Sequence, residues 1–189
     1  MPPKAKISRE NIIQTALEIV RKQGDAALNA REIAARLHCS TQPIFSNFAN
    51  MTDLRFAVIE AAYRLYRNCL QREVESGKYP PYKASGMGYI RFAGEEKELF
   101  KLLFMRDRTE EAIEEETEEE KELFSLVEKG TGLSGESAKV FHLEMWACVH
   151  GVAVMIATNY LSLDWDLISR MISDVYLGMK HDTEQRSEK

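Results

Sequence analysis

Between residues 41 and 47 the chain reads Thr-Gln-Pro-Ile-Phe-Ser-Asn. Gln and Asn each carry a donor and an acceptor on one planar amide, so either can pair bidentately with an adenine edge. Phe, or a threonine methyl, can pack on the methyl group of thymine. If the stretch is helical, Ile44 and Phe48 point inward, leaving Thr41, Gln42, Phe45, Ser46 and Asn47 on the other face. That set can read base edges, provided the preceding residues place it in a groove. On spacing alone, a helical hairpin whose polar residues face water is an equal alternative.

The other reactive side chains assemble less chemistry. His142 and His150 lie eight apart on one predicted helix, near Glu144 and Cys148. Residues i and i+8 share a face but stand roughly 12 Å apart along a helix, too far to ligate one metal together. There is no HExxH, and no Glu-x-x-His pair ends at either histidine. GxSxG, Walker and GxGxxG motifs are absent as well, so no enzyme activity, metal or cofactor is expected. Cys39, Cys69 and Cys148 are odd in number and form no CxxC, which suits reduced thiols and a cytoplasmic protein. Most of the many aromatic and thioether side chains should simply fill a core. Tyr63, Tyr89, Phe92, Phe104, Trp146 and His150 are expected to wall an apolar ligand pocket, with Tyr89 and His150 as its polar anchors.

The elements that must position these residues are helical, since no stretch alternates convincingly with period two. About nine helices in an all-α fold are expected. Ser8 caps a first helix striped by Ile12, Ile13, Ala16, Leu17 and Val20, and Gly24 stops it. Asn29 opens a short second helix, with Glu32 reaching back in a capping box. His38-Cys39-Ser40 form a three-residue break before a third helix, over 41–48, whose Pro43 falls in the first turn. A second capping box, Asn50 with Asp53, opens a long fourth helix that ends near Gly77. Tyr79-Pro80-Pro81-Tyr82 punctuates the chain. Helices over 82–94 and 96–105 follow, then one ending at Lys129. A long apolar helix capped by Ser134 or Ser137 runs to about 162. A last helix opens at Asp164, and the polar residues from 181 fray. The resulting domains are a helix-turn-helix unit over 1–53, a connecting helix over 54–79, an effector-binding and dimerisation domain over 80–181, and a disordered tail over 182–189.

The 189 residues carry a net charge of −5, unevenly spread. Residues 1–78 hold 12 Lys/Arg against 8 Asp/Glu, whereas 79–189 hold 13 against 22. A locally basic first part suits phosphate neutralisation. The acidic run 107–122, with ten carboxylates, reads as a solvated helix end or loop. No apolar run approaches the roughly 20 residues that cross a bilayer, so no membrane partner is expected.

Two short helices joined by a three-residue turn and braced by a preceding helix make a helix-turn-helix, whose second member enters the major groove. Residues 8–54, SRENIIQTALEIVRKQGDAALNAREIAARLHCSTQPIFSNFANMTDL, resemble the DNA-binding domain of the TetR/AcrR family of transcriptional regulators. The likeness lies in the AL..V helix, Gly24, REIAARL and its turn, STQPIFSNFAN, and the restart at Thr52-Asp53-Leu54. Trp146 and His150-Gly151 further resemble the WHG-type regulatory domain of one subgroup. The resemblance implies a homodimeric, ligand-responsive repressor that binds a palindromic double-stranded operator and senses a small-molecule effector. It places DNA contacts at Arg31, Thr41, Gln42, Pro43, Phe45, Ser46 and Asn47. Phe45 replaces the usual tyrosine and so lacks a hydroxyl for phosphate. Met51 stands where the family usually has a phosphate-contacting lysine. His38 replaces the turn glycine, and histidine tolerates positive φ. The alternative is a helical protein-interaction module that reads no DNA.

Overall fold

The computed structural model describes residues 7–107, 109 and 118–187, and among these every regular element is helical. In order they are α1 (Arg9–Gln23), a 3-10 turn (Asp25–Ala27), α2 (Ala30–Arg36), α3 (Gln42–Asn47), α4 (Met51–Glu75), α5 (Pro81–Glu95), α6 (Lys97–Phe104), α7 (Glu118–Thr131), α8 (Gly135–Ala157) and α9 (Trp165–Ser187). The chain divides into two compact units: Met1–Asn68 with Glu96–Arg106, and Cys69–Glu95 with Asp107–Lys189.

In the first unit α1 forms for local reasons. Ser8 Oγ accepts from the Asn11 amide at 3.1 Å, and Asn11 Oδ1 accepts from the Ser8 amide at 3.3 Å. The stripe expected from the sequence is buried, with Ile19 added to it. Each of its Ile, Leu and Val side chains contributes roughly 1.5–3 kcal/mol when removed from water. Gly24 ends α1 at φ 80°, a value that favours glycine, and a Cβ there would meet Glu98 Oε2 at 2.9 Å. That neighbour belongs to α6, which packs on α1 and places Leu99, Phe100 and Leu103 in the same core. The Arg21 guanidinium reinforces the pairing by donating to both carboxylate oxygens of Glu96. The compact first unit therefore includes α6 and extends along α4 to Asn68, instead of closing at residue 53.

In the α2–α3 pair, α2 is capped at both of its ends. Asn29 Oδ1 accepts from the Glu32 amide at 3.0 Å. The Glu32 carboxylate does not reach back to Asn29 but accepts from Arg36 at 3.0 Å, so only half of the expected box forms. At the helix end His38 takes φ 52°. The Cys39 and His38 amides donate to Ala34 and Ala35 carbonyls, the pattern of a left-handed C-terminal cap. Asp53 accepts from the Ala49 amide and Asn50 from the Asp53 amide, which starts α4.

The second unit is organised by α5 against α8. Gly86 and Gly88 let α5 sit close to its neighbours: a Cβ on Gly86 would lie 3.3 Å from Val149, and one on Gly88 would lie 3.2 Å from the Leu70 Cα. Arg91 donates to the buried Glu73 at 2.8 Å and lies 4.6 Å over the Trp165 ring. Asp164 Oδ1 caps α9 through the Asp166 amide at 2.8 Å.

Three expectations are corrected in this unit. First, α8 stops at Ala157, not near 162, because Asn159 adopts φ 57°. Second, α9 continues through Ser187, where a disordered tail was expected; Lys180 donates to the Gly130 carbonyl and Thr183 to Met179. Third, α8 contains a window of mean hydropathy 1.6, long and apolar enough by length and composition to cross a membrane. Glu144 and two histidines interrupt that apolar run, which hides it from a search for uninterrupted stretches. A third of the window is buried inside the protein, so much of its apolar surface is left uncovered by the chain itself. The acidic run 107–122 lies mostly outside the described residues; Asp107, Glu120 and Glu122 are exposed.

Candidate functional site

The first turns of α3 present the side chains expected to contact DNA. Gln42 is exposed, and its side chain makes no hydrogen bond among the described residues. Phe45 is half exposed (50%), an unusual degree of exposure for a phenyl ring. Ile44 and Phe48 fill the opposite face and are buried at 0% and 2%. Ser46 is exposed but its hydroxyl donates to the Gln42 carbonyl at 2.9 Å. Asn47 is half-buried, and its amide donates to the Pro43 carbonyl at 2.7 Å. One of its two N–H groups is therefore occupied, and the oxygen and second N–H remain. Thr41 is the N-cap residue, with no side-chain capping bond, and Pro43 is half-buried behind it.

Two further positions of the expected contact pattern lie outside α3. Arg31, in the first turn of α2, is exposed and has no ion pair among the described residues. Met51 begins α4 and is half-buried, an uncharged side chain at the position where a lysine was expected from the family resemblance. The Arg9 guanidinium carbon lies 4.6 Å above the centroid of the Phe48 ring, the residue that ends α3. This contact was not foreseen from the sequence. The available signal was an arginine at the first position of a helix, where the helix dipole disfavours it.

The six residues expected to wall a ligand pocket fall into two groups. Tyr63 and Phe104 belong to the first unit, where their rings meet edge to face at 6.2 Å and Tyr66 joins them. Tyr89, Phe92, Trp146 and His150 belong to the second. There Tyr89 Oη and His150 Nδ1 are 2.8 Å apart, and the Trp146 indole stacks on the His150 ring at 4.8 Å and 14°. Phe92 is buried on α5. A second pair repeats the motif two turns away, with Tyr82 Oη and His142 Nδ1 at 3.0 Å. Burial lowers the pKa of both histidines and raises that of Tyr82. Each tyrosine hydroxyl can thus donate to a neutral imidazole. A separate cavity of about 200 Å³ lies between α7 and α8, lined by Lys121, Phe124, Ser125, Glu128 and Lys139 among others, and by none of those six. No group of three or more His, Cys, Asp or Glu able to hold a metal occurs among the described residues.

Residues 82–175 match the family model described as "Tetracyclin repressor-like, C-terminal domain". The chain also superposes on a TetR-like transcriptional regulator from Rhodococcus sp. RHA1, with a TM-score of 0.65 at 13% identity over 89% of this chain and 92% of that one. The chain belongs to the TetR family. It is thus related to DNA-binding transcriptional regulators. The TetR fold is shared with a family member from Streptomyces coelicolor A3, at TM-score 0.61 and 15% identity over 88% of this chain and 96% of that one. It is shared also with the multidrug binding protein EbrR, solved in complex with imidazole, at 0.58 and 14% over 88% and 93%. No curated protein matches the chain. The family model covers only the C-terminal part, so α1–α3 are assigned on the shared fold and on their own residues.

Proposed function

We propose that this TetR-family protein is a cytoplasmic, ligand-responsive repressor without enzymatic activity, which binds a palindromic double-stranded operator as a homodimer. The observation that carries the reading is the face of α3. Gln42 and Phe45 stand exposed on a helix whose opposite face is anchored by Ile44 and Phe48. Thr41, Pro43, Ser46 and Asn47 complete the contact surface, and Arg31 holds it against phosphate.

Dimerisation is supported by α8. Val140, Leu143, Ala147 and Val154 recur at spacings of three, four and seven, and the first three of them are exposed. Together with α9 they suit an intersubunit four-helix bundle. Two α3 helices related by a two-fold axis then read half-sites centred about one helical turn apart, or slightly more.

An effector acts on this assembly by binding one spacing of the two α3 helices more tightly than the other. Tyr89, Phe92, Trp146 and His150 supply apolar walls and polar anchors in the second unit, and Tyr63 and Phe104 an aromatic cluster in the first. The multidrug binding description of EbrR supports a small apolar or amphipathic ligand. Footprinting on the DNA flanking the protein's own gene tests the reading. A protected palindrome, released by an apolar or amphipathic compound, is expected. Absence of protection would leave a helical interaction module as the account of the fold.

A further inference from the structure

The cations of the first three helices divide into two kinds. Arg21 and Lys22 meet Glu18, Arg21 also meets Glu96, and Arg36 meets Glu32. Arg9 and Arg31 meet no carboxylate among the described residues. Both unpaired arginines sit in the first turn of a helix, at the positive end of its dipole, where a cation is unfavourable for stability. Arg31 already has a place in the DNA-binding reading. Arg9 has none.

The geometry of Arg9 is specific. Its guanidinium lies over the face of Phe48, which is 2% exposed and whose amide donates to Ile44 at 3.0 Å. Phe48 is thus fixed relative to α3, and Arg9 is fixed relative to Phe48. The contact with the ring uses none of the guanidinium N–H groups in a hydrogen bond, and the Arg9 side chain makes no ion pair among the described residues. A planar fork with free donors and no counter-charge is suited to bidentate contact with a phosphate.

We infer that Arg9 is a phosphate-positioning residue: held over the Phe48 ring at the end of α3, it provides the backbone contact that Met51 does not make. The inference rests on the DNA-binding reading. A helix lying in the major groove is flanked by phosphates, and a cation fixed to its end sets how far it slides and tilts. Arg9 then contributes to every sequence bound, whereas Gln42 contributes only to the right one.

Equilibrium binding to operator and to random duplex, measured across a salt series, tests this with wild type, Arg9→Ala, Arg9→Gln, Arg9→Lys and Arg64→Ala. Arg64 is an exposed cation of α4 that makes no ion pair among the described residues, and it controls for net charge. Arg9→Ala is expected to weaken both duplexes by the same factor, on the order of tenfold, and to reduce the salt slope by about one. Arg9→Lys keeps the slope while losing affinity, and Arg64→Ala changes neither. Should Arg9→Ala fold poorly, Arg9→Gln, which keeps the stem over Phe48, reports the same slope. An unchanged slope in both neutral variants, with only a lower Tm, would overturn the inference and make Arg9 a packing residue. Wild type that shows no salt-dependent binding would overturn the DNA-binding reading itself, and this inference with it.

Discussion

Gln42 is the side chain on which base reading most depends. Its amide is exposed and uncommitted, whereas Asn47 already donates to Pro43 and Ser46 to Gln42. Gln42→Ala is therefore expected to cost about 1–3 kcal/mol on the specific site and little on random DNA. Competition binding with both duplexes measures the difference, and equal losses would remove the base-reading role. The histidines make a different prediction. Burial holds His142 and His150 below the usual pKa, so the folded protein favours their neutral forms. The unfolded chain takes up protons first as the pH falls below about 6.5. Stability is then complete above that value and is lost as the pH falls through the lower folded pKa. The Tm should drop between pH 7.5 and 5.5, and the double substitution His142→Gln, His150→Gln should flatten that drop. A wild-type Tm that rises on acidification over this range would contradict the assignment. The partners of these rings were not legible in the chain, because Tyr82 and Tyr89 are some sixty residues away.

Helix starts were the most legible feature, because capping is local. Ser8, Asn29, Asn50 and Asp164 each accept an amide near a helix start, as their residue types suggest. The turn at His38 was legible for a similar reason, since few other residues accept its φ. Ends decided by longer-range choices were not. Tyr160 and Leu161 continue the apolar pattern of α8, yet Asn159 breaks it one turn earlier and leaves Tyr160 77% exposed. The grouping of α6 with α1 depends on Arg21 and Glu96, 75 positions apart, for which no local pattern exists. Gly88 tests the packing of α5. An added Cβ would lie 3.1 Å from Leu70 Cδ2 and 3.2 Å from its Cα, and a backbone atom cannot rotate away. Gly88→Ala is expected to lower stability by about 1–3 kcal/mol, despite alanine's better helix propensity. Thermal melting measures it; a neutral or stabilising effect would show that the two helices separate easily.

Across the whole molecule, composition pointed to one basic and one acidic half, and charge alone could not say what each half does. The basic half carries the exposed face of α3 and the unpaired arginines. In the other half, α8 has more apolar surface than its own protomer covers, since only a third of its most hydrophobic window is buried. The proposed second copy covers Val140 and Leu143, which are 45% and 61% exposed. Leu143→Glu places a charge at the centre of the stripe. It should shift the protein from dimer toward monomer in sedimentation at micromolar concentration while leaving helix content unchanged. A wild-type monomer under those conditions would remove the dimer from the proposal.

The central claim is that the exposed face of α3 reads DNA. Binding of the wild-type protein to its operator and to random duplex, titrated over roughly 50–200 mM salt, tests it most directly. A linear fall of log affinity with log salt is expected on both duplexes. An operator preference of at least about 10³, which Gln42→Ala reduces, is expected as well. Binding that is absent, or that depends on neither salt nor sequence, would contradict it.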